Sequence, residues 1–454
     1  MNRADRMLRW LSEHAELALV KALLVFLQRV PWIGPVVAFR MGDLHGALRG
    51  LRRWPNTRLA WQEQLRDKID AMLVDSPTSV GQAPRAFARA PQRILYVVDV
   101  APNVSRSGYA LRTAALTEAL RATGLQVQIV ARFSSEPDMA SAVPASVFEP
   151  ERAAIERHAA ALVRIIERER IDVVHAASPY ANAHATNLAA ARCGIASVYE
   201  MRGLWHRTRA AREPMYGESA HYAHGERQEL RACMEASLAI ALSTPMQAWM
   251  VAGGVPAAST VVIGNAANTA RPHAMRPPRD ARTVTLGYAG ALERYEGLDR
   301  LLPLFANHAL CEAQLLIAGD GAERKALHRQ ATRLGLGSRV HFLGTLPPEQ
   351  LEGFYARLDA IVLPRIDSAM TRMVPPLKPF DALAHGVPVL MSVAVAEAVG
   401  DVLRRRDDVS VFADVAEVPS LLPELQRSAL WVPPPDWRLR ARELLDAYGC
   451  LSWR

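Results

Sequence analysis

Apolar and polar positions alternate along most of the chain in a way that predicts strands and helices in turn. Residues 94–100 are apolar except for Asp99, residues 110–123 have the spacing of an amphipathic helix, and residues 125–131 are apolar again. Short apolar runs rich in β-branched residues are typical of buried parallel strands. The pattern predicts a strand–helix–strand unit, and the alternation continues to a strand at residues 260–263.

A second series of the same kind follows a proline-rich break at residues 270–280. Within it, residues 362–389 predict a strand that ends at Pro364-Arg365, a proline-rich loop, a short helix, a glycine stop at Gly386 and a further strand. Two such series indicate an α/β protein with two Rossmann-like domains that face a cleft.

The remaining chain divides into an extension, a linker and a tail. Residues 1–75 have a helical pattern, and residues 76–92 are rich in Pro, Ala, Ser and Gly, as linkers are. We predict Rossmann-like domains at residues 93–270 and 283–425 and a C-terminal helix within residues 426–454.

Composition and cysteine spacing limit the class of protein. Half of the 454 residues are hydrophobic and the mean hydropathy is near zero, as expected for a globular chain with large cores. The four cysteines show no C-x-x-C spacing. This argues against a disulfide framework or a zinc site and fits a reducing cytoplasm.

The formal charge of +8 is concentrated near the N-terminus, since residues 1–90 hold 14 Lys and Arg against 8 Asp and Glu. A basic segment attracts anionic lipid or nucleic acid. No zinc-finger or aromatic RNA-binding pattern occurs, so we expect no nucleic-acid partner. Residues 17–27, apolar except for Lys21, are too short to span a membrane, which takes about 20 residues. They either lie in the interface of an anionic membrane or pack on the neighbouring domain.

Lys378 precedes the short helix predicted in the second domain. A loop that leads into a helix presents free backbone N–H groups, which suit a phosphate, and Lys378 adds a positive charge there. Lysine is rare in this chain, with four among 54 basic residues. The alternative interpretation is an ordinary turn with a solvated lysine.

The loop after the first predicted strand, residues 101–108, lacks the G-x-G-x-x-G pattern, which disfavours a nicotinamide site. Gly108 at the start of the next helix would let backbone approach an anion closely, and Arg112 in the first helical turn is placed to reach the same anion. A plain turn glycine and a surface arginine are the alternatives.

These motifs, taken in order, resemble the family-four retaining glycosyltransferases, which have the GT-B fold of two Rossmann domains. The resemblance extends from about residue 93 to the C-terminus. It is carried by GYALRT at 108–113, YEMRGLW at 199–205, LGYAG at 286–290, YEGLD at 295–299, IAGDG at 317–321, VHFLG at 340–344 and LKPFDALA at 377–384.

The resemblance implies an acceptor domain followed by a donor domain that binds a nucleotide-sugar. It also implies a lipid-linked or polysaccharide acceptor, a C-terminal helix that crosses back to the first domain, and a reaction that needs neither a metal nor a cofactor. A cytoplasmic protein on the periphery of the inner membrane would fit this activity.

The resemblance also assigns roles to individual residues. Lys378 and Arg294 would neutralise the diphosphate, and Asp381 would hold the ribose. The base would contact Phe342, Leu343 and Gly344.

In the first domain, Glu200 and Arg202 follow a predicted strand and would hold the sugar or the acceptor, with His175 near the reacting sugar. An internal salt bridge and a core histidine are the respective alternatives. His206, His221 and His224 are too loosely spaced to predict a metal site.

Four positions depart from the family pattern, namely Ala177, Ala291, Glu296 and Met373. They motivate a second hypothesis, in which the protein is a non-catalytic GT-B homologue that acts as a partner in polysaccharide assembly. A third, weaker hypothesis is a sugar-nucleotide epimerase, because that class shares the fold.

Overall fold

The structure is a computed structural model. It describes residues 23–24, 26–28, 30, 33–53, 60–74, 91–103, 107–133, 150–268, 284–307, 310–423 and 432–450. The described residues form two compact units, of which the first takes in residues 1–241, 248–261 and 445–454 and the second residues 242–247 and 262–444. The predicted end of the first domain at residue 270 lies later than this division, since Asn265 donates to the Pro375 carbonyl at 2.8 Å within the second unit.

The first unit is built on a six-stranded sheet with the order β2-β1-β3-β4-β5-β6. Its strands are β1 Arg93–Val100, β2 Gln126–Phe133, β3 Val173–Ala177, β4 Ala196–Met201, β5 Leu238–Ala241 and β6 Thr260–Val262. The pairs from β2 to β5 are parallel, and β3, β4 and β5 are buried along their whole length. This burial explains the continuous apolar runs in the sequence.

The helices up to the end of this sheet are α1 Gly34–Arg40, α2 Leu44–Arg53, α3 Ala60–Val74, α4 Gly108–Arg121, α5 Glu151–Glu169, α6 Tyr180–Cys193, α7 Trp205–Arg212, α8 Ala220–Glu235 and α9 Thr244–Ala252. Local sequence sets several of their ends. Ser107 caps α4, because its side chain accepts a hydrogen bond from the Ala110 amide. Gly194 ends α6 in the left-handed conformation.

The described part of the N-terminal extension packs on the first Rossmann unit. Apolar side chains of α1, α2 and α3, such as Leu44, Leu65 and Ile69, form a common buried cluster. The Phe39 ring stacks on His221 of α8 at 5.6 Å between centroids, and Arg209 donates to the Arg40 carbonyl. Most of the apolar stretch at residues 17–27 lies outside the described residues. Among the helices that are described, none has the length and apolar character to cross a membrane.

The second unit has its own six-stranded parallel sheet, with the order β12-β11-β10-β7-β8-β9. Its strands are β7 Thr285–Ala289, β8 Gln314–Ala318, β9 Val340–Gly344, β10 Ala360–Leu363, β11 Val389–Ser392 and β12 Val409–Phe412. The helices that follow β6 are α10 Leu298–Ala306, α11 Arg324–Arg333, α12 Pro348–Ala356, α13 Ala369–Met373, α14 Lys378–Ala384, α15 Val393–Val399, α16 Asp401–Arg404, α17 Val418–Leu421 and α18 Trp437–Cys450.

The strand order reverses between β1 and β3 in the first sheet and between β7 and β10 in the second. Ligands of open α/β sheets bind outside the carboxyl ends of the strands at such points. The prediction of two doubly wound domains is therefore confirmed. That Gly108 and Lys378 face one common cleft stays a prediction.

Gly297 fixes the loop after β7 against the end of β10. Its φ is +72°, and a Cβ placed there would lie 2.1 Å from the carbonyl oxygen of Pro364. Only a glycine tolerates both the left-handed conformation and this approach of two backbones. The neighbouring Glu296 is thereby held beside Arg365.

We expect Gly297→Ala to destabilise the protein by roughly 2–5 kcal/mol, since backbone strain and a clash add. The matched control is Gly335→Ala, because Gly335 has a φ of +67° but open space around its Cβ position. In that control only the backbone strain lowers the free energy of unfolding, by about 1–2 kcal/mol. Chemical denaturation measures both, and equal losses would show that the contact with Pro364 imposes no constraint.

Candidate functional site

A buried carboxylate and two cations meet at the strand-order reversal of the second unit. Glu296, in the turn after β7, is 2% exposed. Its Oε1 lies 2.7 Å from Lys378 Nζ, and Arg365 donates to both carboxylate oxygens, from Nε at 3.2 Å and from Nη2 at 3.0 Å. Lys378 is the first residue of α14 and Arg365 follows β10. The start of α14 and the segments that follow β7 and β10 thus bring three charged groups together.

Lys378 is confined by backbone and by an aromatic ring. Its Nζ lies 4.7 Å from the centroid of Tyr288 on β7. A Cβ on Gly290 would lie 2.2 Å from Lys378 Cε, so the lysine chain fits only because residue 290 has no side chain. The Lys378 side chain keeps 13% exposure. The side chain is therefore not completely sealed from solvent.

The three charges shift one another's pKa values. Burial works to raise the pKa of Glu296, but Arg365 and Lys378 outweigh it and hold that pKa at about 2. Burial lowers the pKa of Lys378 to about 8, with Glu296 opposing the shift and Arg365 adding to it. At neutral pH the group carries two positive charges and one negative charge, and one positive charge remains for an anion.

The other predicted donor residues lie on the same unit. Burial raises the pKa of Asp381, on α14, to about 7. Phe342 stacks on His328 at 4.0 Å between ring centroids, and Leu343 and Gly344 complete β9 beside it. Arg294 shares the turn of Glu296 and has an exposed side chain.

Sequence reasoning missed Arg365, and it treated Glu296 only as a departure from the family pattern. The signal for Arg365 was present, because Pro364-Arg365 ends the apolar run of β10, and charged residues at that end of a parallel strand lie near the ligand site. Nothing in the sequence pairs it with Glu296, which is 69 positions away.

In the first unit, Glu200 also lies between two cations. Arg112 donates to Oε1 from Nε at 2.8 Å and from Nη2 at 2.5 Å, and Arg202 donates to Oε2 from Nε at 2.8 Å. Tyr96 donates to the same oxygen at 2.5 Å. Glu200 is 1% exposed. Although burial opposes the ionised form, the two arginines hold the pKa of Glu200 well below its usual range.

His175 belongs to the same buried network. Its Nε2 lies 3.5 Å from Glu200 Oε2, and its Nδ1 lies 2.6 Å from the hydroxyl of Tyr448 on α18. Its ring stacks on Tyr96 at 4.4 Å between centroids. Burial lowers the pKa of His175, so the neutral imidazole is favoured.

The structure therefore brings Arg112, His175, Glu200 and Arg202 together, but their charges face one another in the interior. This placement favours the internal salt bridge for Glu200 and Arg202 and the core histidine for His175. Their roles toward a ligand stay predictions. Gly108, by contrast, is exposed at the first position of α4, where an anion can approach the helix.

Two family models match the chain. "Glycosyltransferase Family 4" matches residues 106–271, and "Glycosyl transferases group 1" matches residues 283–418. Together they cover roughly two thirds of the sequence. The chain belongs to the family-four glycosyltransferases. The resemblance inferred from its motifs is confirmed at the level of the family and of the GT-B fold.

One curated relative of this family-four chain is a D-inositol 3-phosphate glycosyltransferase from Corynebacterium urealyticum, 29% identical over 195 residues. The match covers 38% of this chain and 44% of the relative, so the chain spans less than half the length of that protein.

Two solved structures share the fold at low sequence identity. Sucrose-phosphate synthase from Thermosynechococcus elongatus is 16% identical with a TM-score of 0.58, over 80% of this chain and 96% of that one. Anabaena HepE in complex with UDP is 17% identical with a TM-score of 0.53, over 79% of this chain and 97% of that one.

Among the described residues of this glycosyltransferase-family chain, no group of three or more His, Cys, Asp or Glu side chains is arranged to hold a metal ion. His206, His221 and His224, the loose histidine group noted in the sequence, each contact a different residue. His224, for example, lies 2.9 Å from Glu151.

We expect Glu200→Gln to destabilise the protein by about 3–5 kcal/mol, because it leaves two buried arginines without their counter-charge. The control is Glu156→Gln, which removes the exposed pair with Arg192 and should cost roughly 0–1 kcal/mol. Urea denaturation at neutral pH compares the two variants. Similar losses would mean that the buried network is not what stabilises the first unit.

Proposed function

We propose that this protein transfers a sugar from a nucleotide-sugar donor, with retention, to a lipid-linked or polysaccharide acceptor. The observation that carries the proposal is that Lys378 and Arg365 both contact Glu296 at the strand-order reversal of the second sheet, which leaves one positive charge in excess. Glycosyl transfer from such a donor releases a nucleoside diphosphate. Preorganised cations and backbone N–H groups stabilise the charge that develops on it.

Several of the predicted donor residues have a role in this reaction. Lys378 binds the diphosphate, and the uncompensated positive charge of its ion group draws it there. Asp381 holds the ribose; with a pKa of about 7 its carboxyl group both accepts and donates hydrogen bonds near neutral pH. The β9 loop with Phe342 contacts the base. Because side chains and backbone supply the charge, the proposed reaction needs no metal or cofactor.

Family membership and the UDP named in the HepE complex support a nucleoside diphosphate as the donor's leaving group. The acceptor is argued from the resemblance in the sequence alone. The acidic Glu296 within the cation site favours the second candidate, a non-catalytic partner in polysaccharide assembly. Release of diphosphate from a nucleotide-sugar separates the two candidates: slow release without acceptor supports the enzyme, and none with any common donor supports the partner.

For Lys378→Ala we expect UDP to bind about 10–150-fold more weakly, while uridine binds as before. The loss corresponds to a charge-assisted contact with phosphate, on the order of 1.5–3 kcal/mol. Calorimetry with both ligands measures it. Lys325→Ala is the matched control, because Lys325 is an exposed lysine of the same unit. Unchanged UDP affinity in Lys378→Ala would remove Lys378 from the donor site.

We also propose that the basic N-terminal extension places the protein on the cytoplasmic face of an anionic membrane. The described residues that precede α1 expose Leu23 and Phe26, the latter at 63%. Residues 1–75 hold 12 Lys and Arg against 8 Asp and Glu, an excess of four positive charges. Exposed apolar side chains in a basic segment suit an anionic interface.

Phe26→Glu in the full-length chain should weaken binding to anionic vesicles several-fold, and salt should weaken the parent's binding. The control is Val432→Glu, since Val432 is apolar and 57% exposed but lies far along the chain. Vesicle flotation at low and high salt makes the comparison. If the parent protein does not bind anionic vesicles at low salt, the membrane proposal is wrong and the extension only packs on the first unit.

A further inference from the structure

We propose that Glu296 is a positioning residue for the donor phosphate, which keeps Lys378 charged and in place at neutral pH. The inference rests on the proposed function, because it concerns the site assigned there to the diphosphate. It gives a function to Glu296, which the comparison of sequence motifs treats only as a departure from the family pattern.

The first argument is that the carboxylate is fixed. Glu296 is 2% exposed and Gly297 holds its turn against Pro364, with no room for a side chain at that glycine. Oε1 is shared by Lys378 Nζ at 2.7 Å and Arg365 Nη2 at 3.0 Å. A carboxylate held in this way is a permanent part of the site and does not swing aside for a ligand.

The second argument concerns which group would lose charge without Glu296. Three described groups face Lys378: the Tyr288 ring on β7, Glu296 in the following turn and Arg365 after β10. Burial and Arg365 lower the pKa of Lys378, whereas Glu296 raises it. An arginine keeps its proton in proteins, but a buried lysine readily loses it. Removing Glu296 would therefore neutralise Lys378, while Arg365 stays charged.

The opposite expectation is that Glu296 merely repels phosphate. Replacement by glutamine would then leave two free cations and tighten diphosphate binding. Since burial already lowers the pKa of Lys378 to about 8, a further fall on losing Glu296 favours the neutral amine near neutral pH. The cation lost is the one with 13% exposure, next to the end of β7. The two mechanisms thus predict changes of opposite sign.

The test measures the charge of Lys378 directly in the full-length protein. Competitive acylation of lysines across pH, followed by mass spectrometry, yields a titration for each of the four lysines. We expect Lys378 to titrate near pH 8 in the parent and at least one pH unit lower in Glu296→Gln. Asp299→Asn removes an exposed carboxylate three residues away and should leave the titration unchanged.

UDP binding by calorimetry supplies the second readout. At pH 7.5, a working pH near the Lys378 titration, we expect at least about threefold weaker binding in Glu296→Gln, with the difference narrowing as pH falls. Lys378→Arg combined with Glu296→Gln should restore part of the binding and make it independent of pH in this range, since arginine stays charged but its fork needs more room. Circular dichroism confirms that each variant is folded.

Tighter UDP binding in Glu296→Gln, or an unshifted Lys378 titration, would overturn the inference. If the parent binds no common nucleoside diphosphate while the titration shifts as expected, the proposed function is wrong and the control of the Lys378 charge by Glu296 still holds.

Discussion

At the carboxyl ends of the strands of each sheet, a buried carboxylate is held between two cations. The local structure near both strand-order reversals depends on this arrangement. Glu200 lies between Arg112 and Arg202, and Glu296 lies between Arg365 and Lys378. An ionised group is costly to bury unless opposite charges and hydrogen bonds surround it. The strands, helices and turns that carry these residues are therefore restricted to arrangements in which all the charges meet.

The two arrangements differ in what they leave for a ligand. In the first unit both cations are arginines, and the surrounding hydroxyl groups of Tyr96 and Thr113 bind the network further. That network is closed and links β1, α4 and the end of β4. In the second unit one cation is a lysine that keeps some exposure. Its charge depends on its neighbours, so this site can respond to a bound phosphate and to pH.

The sequence pattern was sufficient to predict the fold, but it was not sufficient to predict which charged residues pair with one another. Apolar runs such as residues 94–100 locate buried strands, because each run is short, continuous and bounded by turns. The five-residue helix α13 was missed, since it lies within the proline-rich stretch expected to form a loop. Arg112, Arg365 and Lys378 lie 69 to 88 residues from the carboxylates that they contact, and no local periodicity encodes such a pairing. Arg202, only two residues from Glu200, is the partner that the sequence could suggest.

The same reasoning explains why a motif comparison alone undervalues residue 296. Judged by its own position, Glu296 counts only as a departure from the family pattern. The structure adds Arg365, which supplies a cation from β10 and binds the acid. The site then keeps a net positive charge, and Glu296 supplies the lysine on α14 with a counter-charge that offsets part of the cost of its burial. A departure from a motif is thus interpretable only together with the residues that contact it.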